Sequence, residues 1–584
     1  MKSQKLGILR LYRNLDKLLV LFFLDFMLME YAWIPFNSFS AETLLKQTGY
    51  LFFSYNNALG VLTSDWLVSL GFVGLFVANL LVAYYQIGLI FMGVRNLLDK
   101  QERSIFQFIK QTFKDSWSLI KYARPSKILF IALYAGFLFP FLRHILKIYY
   151  LNKILIPEFI VTYLQNTVWM KGLISVLGIL IYLAAVRLMF ALPQLFFEHV
   201  PLREAVRYSL QKTQKRVLYY SWSLFWLLIK SFLLFLLITV PILVIQQYAD
   251  TQSNAISFAS AMVNYVLIKL AYYFMLSYFL LKFIAFLTDS SFAEYQHRKG
   301  LPLMRWFVLL STSAVFAIES FVYLNFPLEN IPLTISHRGV SQANGVQNTV
   351  ESLEKTALLK PDYIEMDVQE TKDGQFVMMH DANLRQLAGV NATPQELTLD
   401  ELTSLDIFEN GYSAKISSFD SYLERANQLG QRLLIEIKTS HLDSEDMMER
   451  FMTRYGAKIK IYGHQIQSLD YRVIDKVRKY DASIPTFFIL PYNTIFPRTK
   501  ASGYTMEYST LDENFVFKLW TSDKLLYDWT INSEDAVAKS FRLGVDGIIT
   551  DDLELVQNSI KRLRDNPEYA ILLMNKAVDL FNFT

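Results

Sequence analysis

Three acidic residues in the second half of this chain could together hold a metal ion. Glu365 and Asp367 are two residues apart in the apolar run YIEMDV, so on a β-strand both side chains would point to the same face. Two carboxylates this close repel each other unless one is protonated or a cation lies between them. Glu436, in the run RLLIEIK, would complete a site of oxygen ligands, which favours Ca²⁺, Mg²⁺ or Mn²⁺ over zinc. For the pair alone, a solvent-facing strand without a ligand is the alternative.

Two of the seven histidines stand beside this acidic set and could transfer protons. His337 follows the run LTIS and His380 follows FVMM, and histidine titrates near pH 7, which suits both removal and donation of a proton. Arg338 offers a planar fork that matches phosphate oxygens, and Lys438 offers a second cation. Gly339 would let the backbone turn tightly beside a ligand. The set indicates acid–base chemistry at a phosphate, with ordinary surface charge as the alternative for Arg338 and Lys438.

The elements that would position these residues alternate between strands and helices after Pro327. Strands are predicted at 333–337, 363–368, 376–380, 432–438, 460–468, 485–490, 524–530 and 547–550. Helices are predicted between them at 347–359, 418–429, 470–480 and 532–543. This alternation is typical of a parallel α/β fold, and about 235 residues fit one TIM (β/α)₈ barrel. Reacting groups lie at the C-terminal ends of barrel strands, which is where the polar residues above are found.

The first half of the chain is predicted to cross a membrane repeatedly. The sequence is 53% hydrophobic, and one span needs roughly 20 apolar residues. Apolar runs of that kind lie near 18–36, 67–94, 128–146, 172–197, 217–247, 257–288 and 304–326. Seven spans are expected, or eight if one long run breaks. The basic N-terminus precedes the first run without a small-residue cleavage site, so we expect an uncleaved span rather than a signal peptide.

The distribution of lysine and arginine predicts how these spans are oriented. Basic residues are frequent in four segments, the N-terminal tail, 95–127, 198–217 and 298–305. They are sparse in the loops 37–66, 147–171 and 248–256. Because cytoplasmic loops are the richer in these residues, the N-terminus is expected in the cytoplasm. With seven spans, everything after 326 would lie outside the cell, on a multi-pass protein of the plasma membrane.

Charged residues in the first half suggest two further features. The segments 104–124 and 200–216 alternate apolar and basic residues at helical spacing, which predicts amphipathic helices on the inner leaflet, with plain basic loops as the alternative. Arg187, Lys230 and Lys269 fall inside apolar runs, where a charge is costly and often functional unless the side chain reaches an interface. The net charge of +4 does not indicate a nucleic-acid partner, and the absence of cysteine excludes disulfides and thiolate chemistry.

These observations predict a multi-domain chain. An all-α polytopic membrane domain would occupy 1–326, and an α/β TIM (β/α)₈ barrel would occupy 327–562. A short C-terminal tail would follow at 563–584. The residues suited to chemistry all lie in the barrel.

Short motifs in the second half resemble those of the glycerophosphodiester phosphodiesterase family. They are HRG, QNT, EMDVQETKDGQFVMMHD, EIK, WTIN and GVDGIITD, in that order between 333 and 552. The first half is similar, in arrangement more than in residues, to the multi-span membrane domain of some bacterial members. The resemblance implies a membrane-anchored hydrolase with its active site on a TIM barrel.

The resemblance also implies roles for individual positions. The family's general acid and base correspond to His337 and His380. Its ligands for a divalent cation, often Ca²⁺ or Mg²⁺, correspond to Glu365, Asp367 and Glu436. Its substrate-binding positions correspond to Arg338, Lys438, Asn348 and Trp529, the last near the glycerol end. One position departs from the pattern, because Gln347 stands where many relatives have glutamate and cannot supply a negative charge.

The implied reaction is hydrolysis of a glycerophosphodiester. The metal would bind a phosphate oxygen and the neighbouring glycerol hydroxyl, lowering the pKa of that hydroxyl. One histidine takes its proton, the hydroxyl attacks phosphorus, and the other histidine protonates the departing alcohol. Water then opens the cyclic phosphate to give sn-glycerol 3-phosphate.

The expected substrates lie outside the cell and are deacylated phospholipids, lysophospholipids or a polyglycerophosphate polymer. Two other functions are open. One is a transporter with the barrel as an accessory module, supported by the basic residues inside apolar runs. The other is a non-catalytic module that binds an anionic polymer, which the substitution at Gln347 leaves open.

Overall fold

The computed structural model describes residues 16–54, 57–98, 103–138, 160–161, 164, 168–289, 302–325, 331–493, 495–565 and 568–581. Its Cα positions divide the chain into two compact units. Unit 1 comprises Met1–Leu324 and Leu573–Thr584, and unit 2 comprises Asn325–Leu572. The predicted boundary at Pro327 lies outside the described residues.

Unit 1 is built from long apolar helices. Among the described residues, the helices long and apolar enough to cross a membrane are Asp16–Gln47, Trp66–Leu98, Trp169–Leu188, Val217–Ala249, Asn254–Leu287 and Trp306–Asn325. These six helices coincide with six of the seven predicted spans. The run predicted at 128–146 is described only as far as residue 138 and overlaps the shorter apolar helix Pro125–Gly136. The N-terminal tail before Asp16 and the loop residues 290–301 lie outside the described part of the chain.

Two shorter helices of unit 1 carry the predicted basic segments. The helix Ile105–Lys121 begins at Ser104, whose side chain accepts a hydrogen bond from the Gln107 backbone N–H. The Gln107 side chain in turn accepts one from the Ser104 N–H, so the two residues form a reciprocal cap at the start of the helix. The second helix is Leu202–Thr213. Both predicted helices are confirmed, and their placement on the inner leaflet stays a prediction.

Lys269, one of the three basic residues inside apolar runs, forms an ion pair within unit 1. Its Nζ lies 2.9 Å from Glu319 Oε1, and the Tyr265 hydroxyl donates to the same oxygen at 2.9 Å. Because Glu319 balances its charge, Lys269 gives little support to an anionic cargo at this position.

The last residues of the chain also contribute to unit 1. Lys576 Nζ lies 3.9 Å from Glu319 Oε1. The ring of Phe581 packs edge-on against Phe232, Phe235 and Tyr272, with centroids between 4.9 and 5.6 Å apart. The range 563–584, predicted as a tail, contains the end of the helix Leu553–Asp565 and the whole helix Tyr569–Asp579.

Unit 2 contains a closed barrel of eight parallel strands. The strands of unit 2 are β1 (Leu333–Ser336), β2 (Tyr363–Glu370), β3 (Phe376–Met378), β4 (Asp406–Glu409), β5 (Tyr412–Lys415), β6 (Leu433–Ile437), β7 (Gln465–Ser468), β8 (Thr486–Leu490), β9 (Gly503–Glu507), β10 (Leu525–Trp529) and β11 (Gly547–Thr550). The barrel runs β1, β2, β6, β7, β8, β9, β10 and β11, and β11 pairs with β1 to close it. The predicted TIM barrel is confirmed.

Helices follow most of the barrel strands and cover them. Those of at least eight residues are Val350–Ala357, Phe419–Leu429, Met447–Ile461, Tyr471–Tyr480, Glu513–Thr521, Glu534–Leu543 and Leu553–Asp565. Several begin at a side chain that accepts a hydrogen bond from the first turn, as Thr349, Ser418, Asp512 and Ser533 do. Their buried faces share a hydrophobic core with outward side chains of the barrel strands, such as Met366 and Ile435. The helices also pack against each other, as Tyr455 does against Phe419.

Two strand predictions are corrected by the structure. The run 376–380 is not a barrel strand, because the turn at Gly374, with φ of 69°, reverses the chain and β3 pairs antiparallel with the end of β2. The eighth barrel strand is instead β9, which the prediction missed. It begins at Gly503, where a Cβ would come within 2.6 Å of Phe487 and 2.5 Å of the Leu525 carbonyl oxygen. This close approach requires a glycine, the residue that weakens a strand prediction from sequence.

The interior at the N-terminal end of the barrel is aromatic and neutral. The rings of Phe487 and Tyr527 stack with centroids 4.1 Å apart. Gln465 donates to the Tyr363 hydroxyl at 3.0 Å and accepts from the Tyr527 hydroxyl at 3.0 Å. Ile335 completes this layer, in which the buried polar atoms of these side chains are hydrogen-bonded to one another.

Candidate active site

The first element of the site is the tight turn His337–Gly339 at the C-terminal end of β1. Arg338 and Gly339 both have left-handed backbone angles, with φ of 53° and 70°. The turn aims the Arg338 backbone N–H at Glu365 Oε2, 2.8 Å away. A Cβ at Gly339 would come 2.6 Å from the Tyr422 hydroxyl, so the predicted need for glycine in this turn is met.

The three predicted acidic residues converge inside the barrel at the C-terminal end of its strands. Asp367 on β2 and Glu436 on β6 are register partners, and Glu365 precedes Asp367 on the same face of β2. One carboxylate oxygen from each lies within 4.8 Å of the others. All three side chains are buried, and β-strand geometry rather than sequence proximity brings Glu436 to the pair.

The electrostatics of this cluster are those of crowded, buried carboxylates. Burial, together with the charges of Asp367 and Glu436, raises the pKa of Glu365 well above its usual range. Burial also opposes ionisation of Asp367, but Lys438, His380 and Arg338 outweigh it and hold the pKa of Asp367 below its usual range. The cluster therefore contains one strongly ionised acid and one that resists ionisation.

Lys438 partly balances the negative charge. Its Nζ lies 2.7 Å from Glu436 Oε1 and 3.2 Å from Asp367 Oδ1. Burial alone would lower the pKa of Lys438, but Asp367 and Glu436 raise it above the ordinary value, so the side chain is a fixed positive charge. Gln467 on β7 adds weaker amide contacts of 3.4 Å to Glu365 and 3.3 Å to Glu436.

The cluster fits a hard divalent cation. Its three carboxylates outnumber the single lysine that pairs with them, and the amide of Gln467 is too distant to satisfy them with strong hydrogen bonds. Oxygen-only ligands of this charge suit Ca²⁺ or Mg²⁺. A cation would relieve the repulsion that raises the pKa of Glu365.

In both predicted catalytic histidines, the ring nitrogen Nδ1 lies against an aspartate. His337 Nδ1 lies 2.7 Å from Asp551 Oδ1, and His380 Nδ1 lies 2.7 Å from Asp381 Oδ1. A carboxylate at Nδ1 favours the tautomer with its proton there, which leaves Nε2 as the proton-accepting atom. Asn532 donates to the second oxygen of Asp551 at 2.7 Å and holds it in place.

His380 reaches the site from an unexpected element. It follows the antiparallel β3 rather than a barrel strand, which corrects the prediction that both histidines end adjacent barrel strands. The Met379 N–H donates to the Asp367 carbonyl at 3.1 Å and fixes the segment over β2. His380 Nε2 then lies 2.8 Å from Arg338 Nη2. Burial lowers the pKa of His380, Asp367 opposes this shift, and Lys438 and Arg338 reinforce it.

The remaining predicted residues lie at the same end of the barrel. Asn348 exchanges two hydrogen bonds with Asp367, one from its side-chain amide at 2.9 Å and one from the Asp367 N–H at 3.0 Å. Trp529 lies at the end of β10 and packs against the residues inside the barrel. Gln347 accepts from Arg338 Nη1 at 3.1 Å. The structure thus places the predicted residues at the C-terminal end of one barrel.

Several polar partners of the site were missing from the sequence-based prediction. Asp381 and Asp551 each follow a strand in the pairs HD and TD, so a local signal existed for both. Gln467, which contacts two of the carboxylates, follows an apolar strand without any special spacing. Glu409 reaches Gln347 from β4, and no local pattern marks it.

Family models match both halves of the chain. Residues 5–324 match the membrane domain of glycerophosphoryl diester phosphodiesterase. Residues 337–555 match the glycerophosphoryl diester phosphodiesterase family. The second range contains all nine of the predicted site residues, from His337 to Trp529.

Individual relatives are similar over part of the chain. The glycerophosphodiester phosphodiesterase of Bacillus subtilis (strain 168) is 26% identical over 246 residues, which are 37% of this chain and 83% of the relative. Lysophospholipase D GDPD1 of Homo sapiens is 24% identical over 301 residues, 42% of this chain and 94% of the relative. A crystal structure of a glycerophosphodiester phosphodiesterase from Parabacteroides distasonis ATCC 8503 has a TM-score of 0.35 at 22% identity, covering 40% of this chain and 97% of that one. With matches to both family models, the chain belongs to the glycerophosphoryl diester phosphodiesterase family and is a glycerophosphodiester phosphodiesterase with a multi-pass membrane domain.

Proposed function

We propose that His337 and His380 are the acid–base pair of this phosphodiesterase, and that Glu365, Asp367 and Glu436 hold a divalent cation. The observation that carries the proposal is the convergence of these five side chains at one end of the barrel. A buried carboxylate cluster provides the place for a cation, and each histidine has its Nδ1 against an aspartate. The same groups scattered over the barrel could not act on one phosphorus atom.

Each histidine is proposed to move a proton at a defined step of the reaction. One histidine removes the proton of the glycerol hydroxyl next to the phosphate, and that oxygen attacks phosphorus. The other histidine protonates the departing alcohol, and the pair then reverses these roles as water opens the cyclic phosphate to sn-glycerol 3-phosphate. A divalent cation bound at the carboxylates would supply Lewis-acid stabilisation of the phosphate charge.

Four further residues are proposed to bind the substrate. Arg338 lies beside His380, and Lys438 lies beside the carboxylate of Glu436. Both positively charged side chains would contact the non-bridging phosphate oxygens. The Asn348 amide donates a hydrogen bond to the Asp367 carboxylate and would also form a hydrogen bond to the substrate. Trp529, at the end of β10, would contact the glycerol end.

The proposed substrates are deacylated phospholipids, lysophospholipids or a polyglycerophosphate polymer, met outside the cell. The human relative named lysophospholipase D supports the lysophospholipid class. The outside location rests on two predictions, a cytoplasmic N-terminus from the distribution of lysine and arginine between loops, and an odd number of spans that includes the run at 128–146. A protease added to intact cells should cleave the barrel, and a protected barrel would contradict this orientation.

The activity is tested with the purified full-length protein. Release of choline is measured from glycerophosphocholine and from lysophosphatidylcholine, whose phosphate product keeps its acyl chain. Release of sn-glycerol 3-phosphate is measured from glycerophosphocholine and polyglycerophosphate, and all assays are run with and without EDTA, beside the variant His337→Ala. The proposal predicts turnover of at least one substrate, loss of turnover in EDTA and in the variant, and recovery on adding Ca²⁺ or Mg²⁺. Undiminished turnover in both EDTA and His337→Ala would show that the assigned site is wrong.

A further inference from the structure

We propose that Glu409, on the β4–β5 hairpin, is a positioning residue of this active site that acts on Arg338 through Gln347. The inference rests on the proposed function, because it concerns how the phosphate-binding arginine is held. Glu409 lies 62 positions from Gln347 along the chain, so only the fold brings it to the site.

The contacts form a continuous chain of hydrogen bonds. Gln347 Nε2 donates to Glu409 Oε1 at 2.6 Å, and the Gln347 backbone N–H donates to Glu409 Oε2 at 2.8 Å. At its other end, Gln347 Oε1 accepts from Arg338 Nη1 at 3.1 Å. Both neighbours orient the Gln347 side-chain amide, whose oxygen faces the Arg338 guanidinium and whose NH₂ group faces the Glu409 carboxylate. A neutral glutamine thereby connects a negative charge to a positive one.

Arg338 needs such a support because of its contact with His380. Its Nη2 lies 2.8 Å from His380 Nε2, the atom expected to exchange a proton. When a substrate arrives, Nη2 must leave this nitrogen for a phosphate oxygen. If Gln347 and Glu409 hold Nη1 while Nη2 moves from His380 to the phosphate, the guanidinium rotates about Nη1 and stays in the site. Burial of the Gln347 side chain, which is 7% exposed, limits competition from water for these bonds.

A purely structural explanation is that Glu409 only docks the hairpin. The hairpin has a second side-chain contact to the same loop, since Asn410 Nδ2 donates to the Gly345 carbonyl at 3.0 Å without touching Gln347 or Arg338. Asn410→Gly removes this contact and suits the left-handed backbone at φ of 54°. Asp406→Asn changes an exposed carboxylate of the same hairpin that pairs with Lys415 at 3.2 Å. These variants are the matched controls.

The test compares kcat and KM of full-length variants with the substrate on which the wild type is active. Glu409→Gln should lower kcat/KM about tenfold, because two acceptor oxygens become one acceptor and one donor facing the Gln347 donors. Gln347→Glu should lower it similarly, because two carboxylates then face each other. The exchange Gln347→Glu with Glu409→Gln restores complementary partners and should recover kcat/KM to within about threefold of wild type.

The background Arg338→Lys separates positioning from docking. A single ammonium cannot bond Gln347 and a phosphate at once as the fork does, so Glu409→Gln should cost less than about twofold there. Both control variants should stay within about twofold of wild type. The proposal is overturned if Glu409→Gln is neutral, if it costs the same tenfold in the Arg338→Lys background, or if Asn410→Gly matches it. An inactive wild type would instead contradict the proposed function itself.

Discussion

The two ends of the barrel interior are built by the same strands but differ in chemistry. Along β2 the inward side chains run from Tyr363 to Glu365 and Asp367, and along β6 they run from Leu434 to Glu436. At the N-terminal end, stacked rings and a glutamine are joined by hydrogen bonds between neutral groups, and the charged group that contacts them is Arg432, over the Tyr363 ring. At the C-terminal end, three buried carboxylates crowd together around one lysine.

The difference shows where stability and where function are located. Neutral groups that are fully hydrogen-bonded and packed stabilise the folded state. Crowded ionisable groups oppose it, and they persist where they serve binding or catalysis. Changes at the N-terminal end should therefore alter stability, and changes at the C-terminal end should alter activity. The four predictions below test this division, from the largest expected effect to the smallest.

The largest effect is expected at the C-terminal end from His380→Ala. Loss of one proton-transferring group should lower kcat by about 10³- to 10⁴-fold, equivalent to roughly 4–5.5 kcal/mol of transition-state stabilisation. The unfolding temperature should change little. Steady-state kinetics and thermal unfolding of the full-length protein measure both quantities. His441→Ala, at an exposed histidine, is the control and should retain activity. A variant that unfolds at a much lower temperature would contradict the division between the two ends.

At the N-terminal end, Phe487→Ala should destabilise the barrel by about 3–5 kcal/mol, because it opens a cavity beside Tyr527 and ends the ring stacking. Scanning calorimetry should show the loss as a lower unfolding temperature for the barrel. At a temperature where the variant is folded, its kcat should stay within a few-fold of wild type. The control is Phe517→Ala, whose ring is 59% exposed. A thousandfold loss of kcat in the folded Phe487→Ala variant would contradict the assignment of stability to the N-terminal end and activity to the C-terminal end.

A pH-dependent effect of about 3 kcal/mol is expected from His464, near the start of β7. Its Nδ1 accepts from the Leu433 N–H at 3.0 Å, its Nε2 lies 2.9 Å from Asn427 Oδ1, and burial lowers its pKa to about 4. The unfolded chain binds this proton near pH 6.5 and the folded chain near pH 4. Stability is therefore complete above pH 6.5 and is lost as the pH falls through that window.

The measurement for His464 is the barrel unfolding temperature between pH 4 and pH 7.5, with His464→Gln beside the wild type. The variant should start less stable at neutral pH and decline less on acidification. Parallel curves for the two proteins would mean that another group carries the acid sensitivity.

The smallest of these effects concerns cation binding and stability. At a hundredfold excess over Kd, Ca²⁺ or Mg²⁺ should stabilise the wild-type barrel by about 2–3 kcal/mol. Glu365→Gln removes one ligand and some of the repulsion, so it should gain little from the cation and lose nothing in EDTA. Thermal unfolding with cation and with EDTA checks this, and Glu424→Gln, at an exposed glutamate, is the control. Equal cation-dependent shifts in Glu365→Gln and wild type would place the cation elsewhere.

Sequence patterns predicted the parts of the molecule whose causes are local. Apolar runs long enough to cross a bilayer predicted six of the helices. The spacing of Glu365 and Asp367 predicted that both side chains lie on the same face of the strand. The parts that depend on packing were missed. Gly503 permits β9 to pass close to Phe487, yet glycine argues against a strand until that neighbour is known. Glu409 gains its contact with Gln347 only through the hairpin, which no local spacing reveals.

The pairing of Lys576 with Glu319, and the packing of Phe581 among three rings, have a consequence for biosynthesis. Synthesis proceeds from the N-terminus, so the helices before residue 325 emerge long before these two partners exist. Unit 1 therefore remains incomplete until residues 573–581 have been synthesised, while the barrel can fold from an uninterrupted stretch of chain. A premature stop after residue 572 would therefore weaken the packing of the membrane helices before it affected the enzyme's catalytic groups.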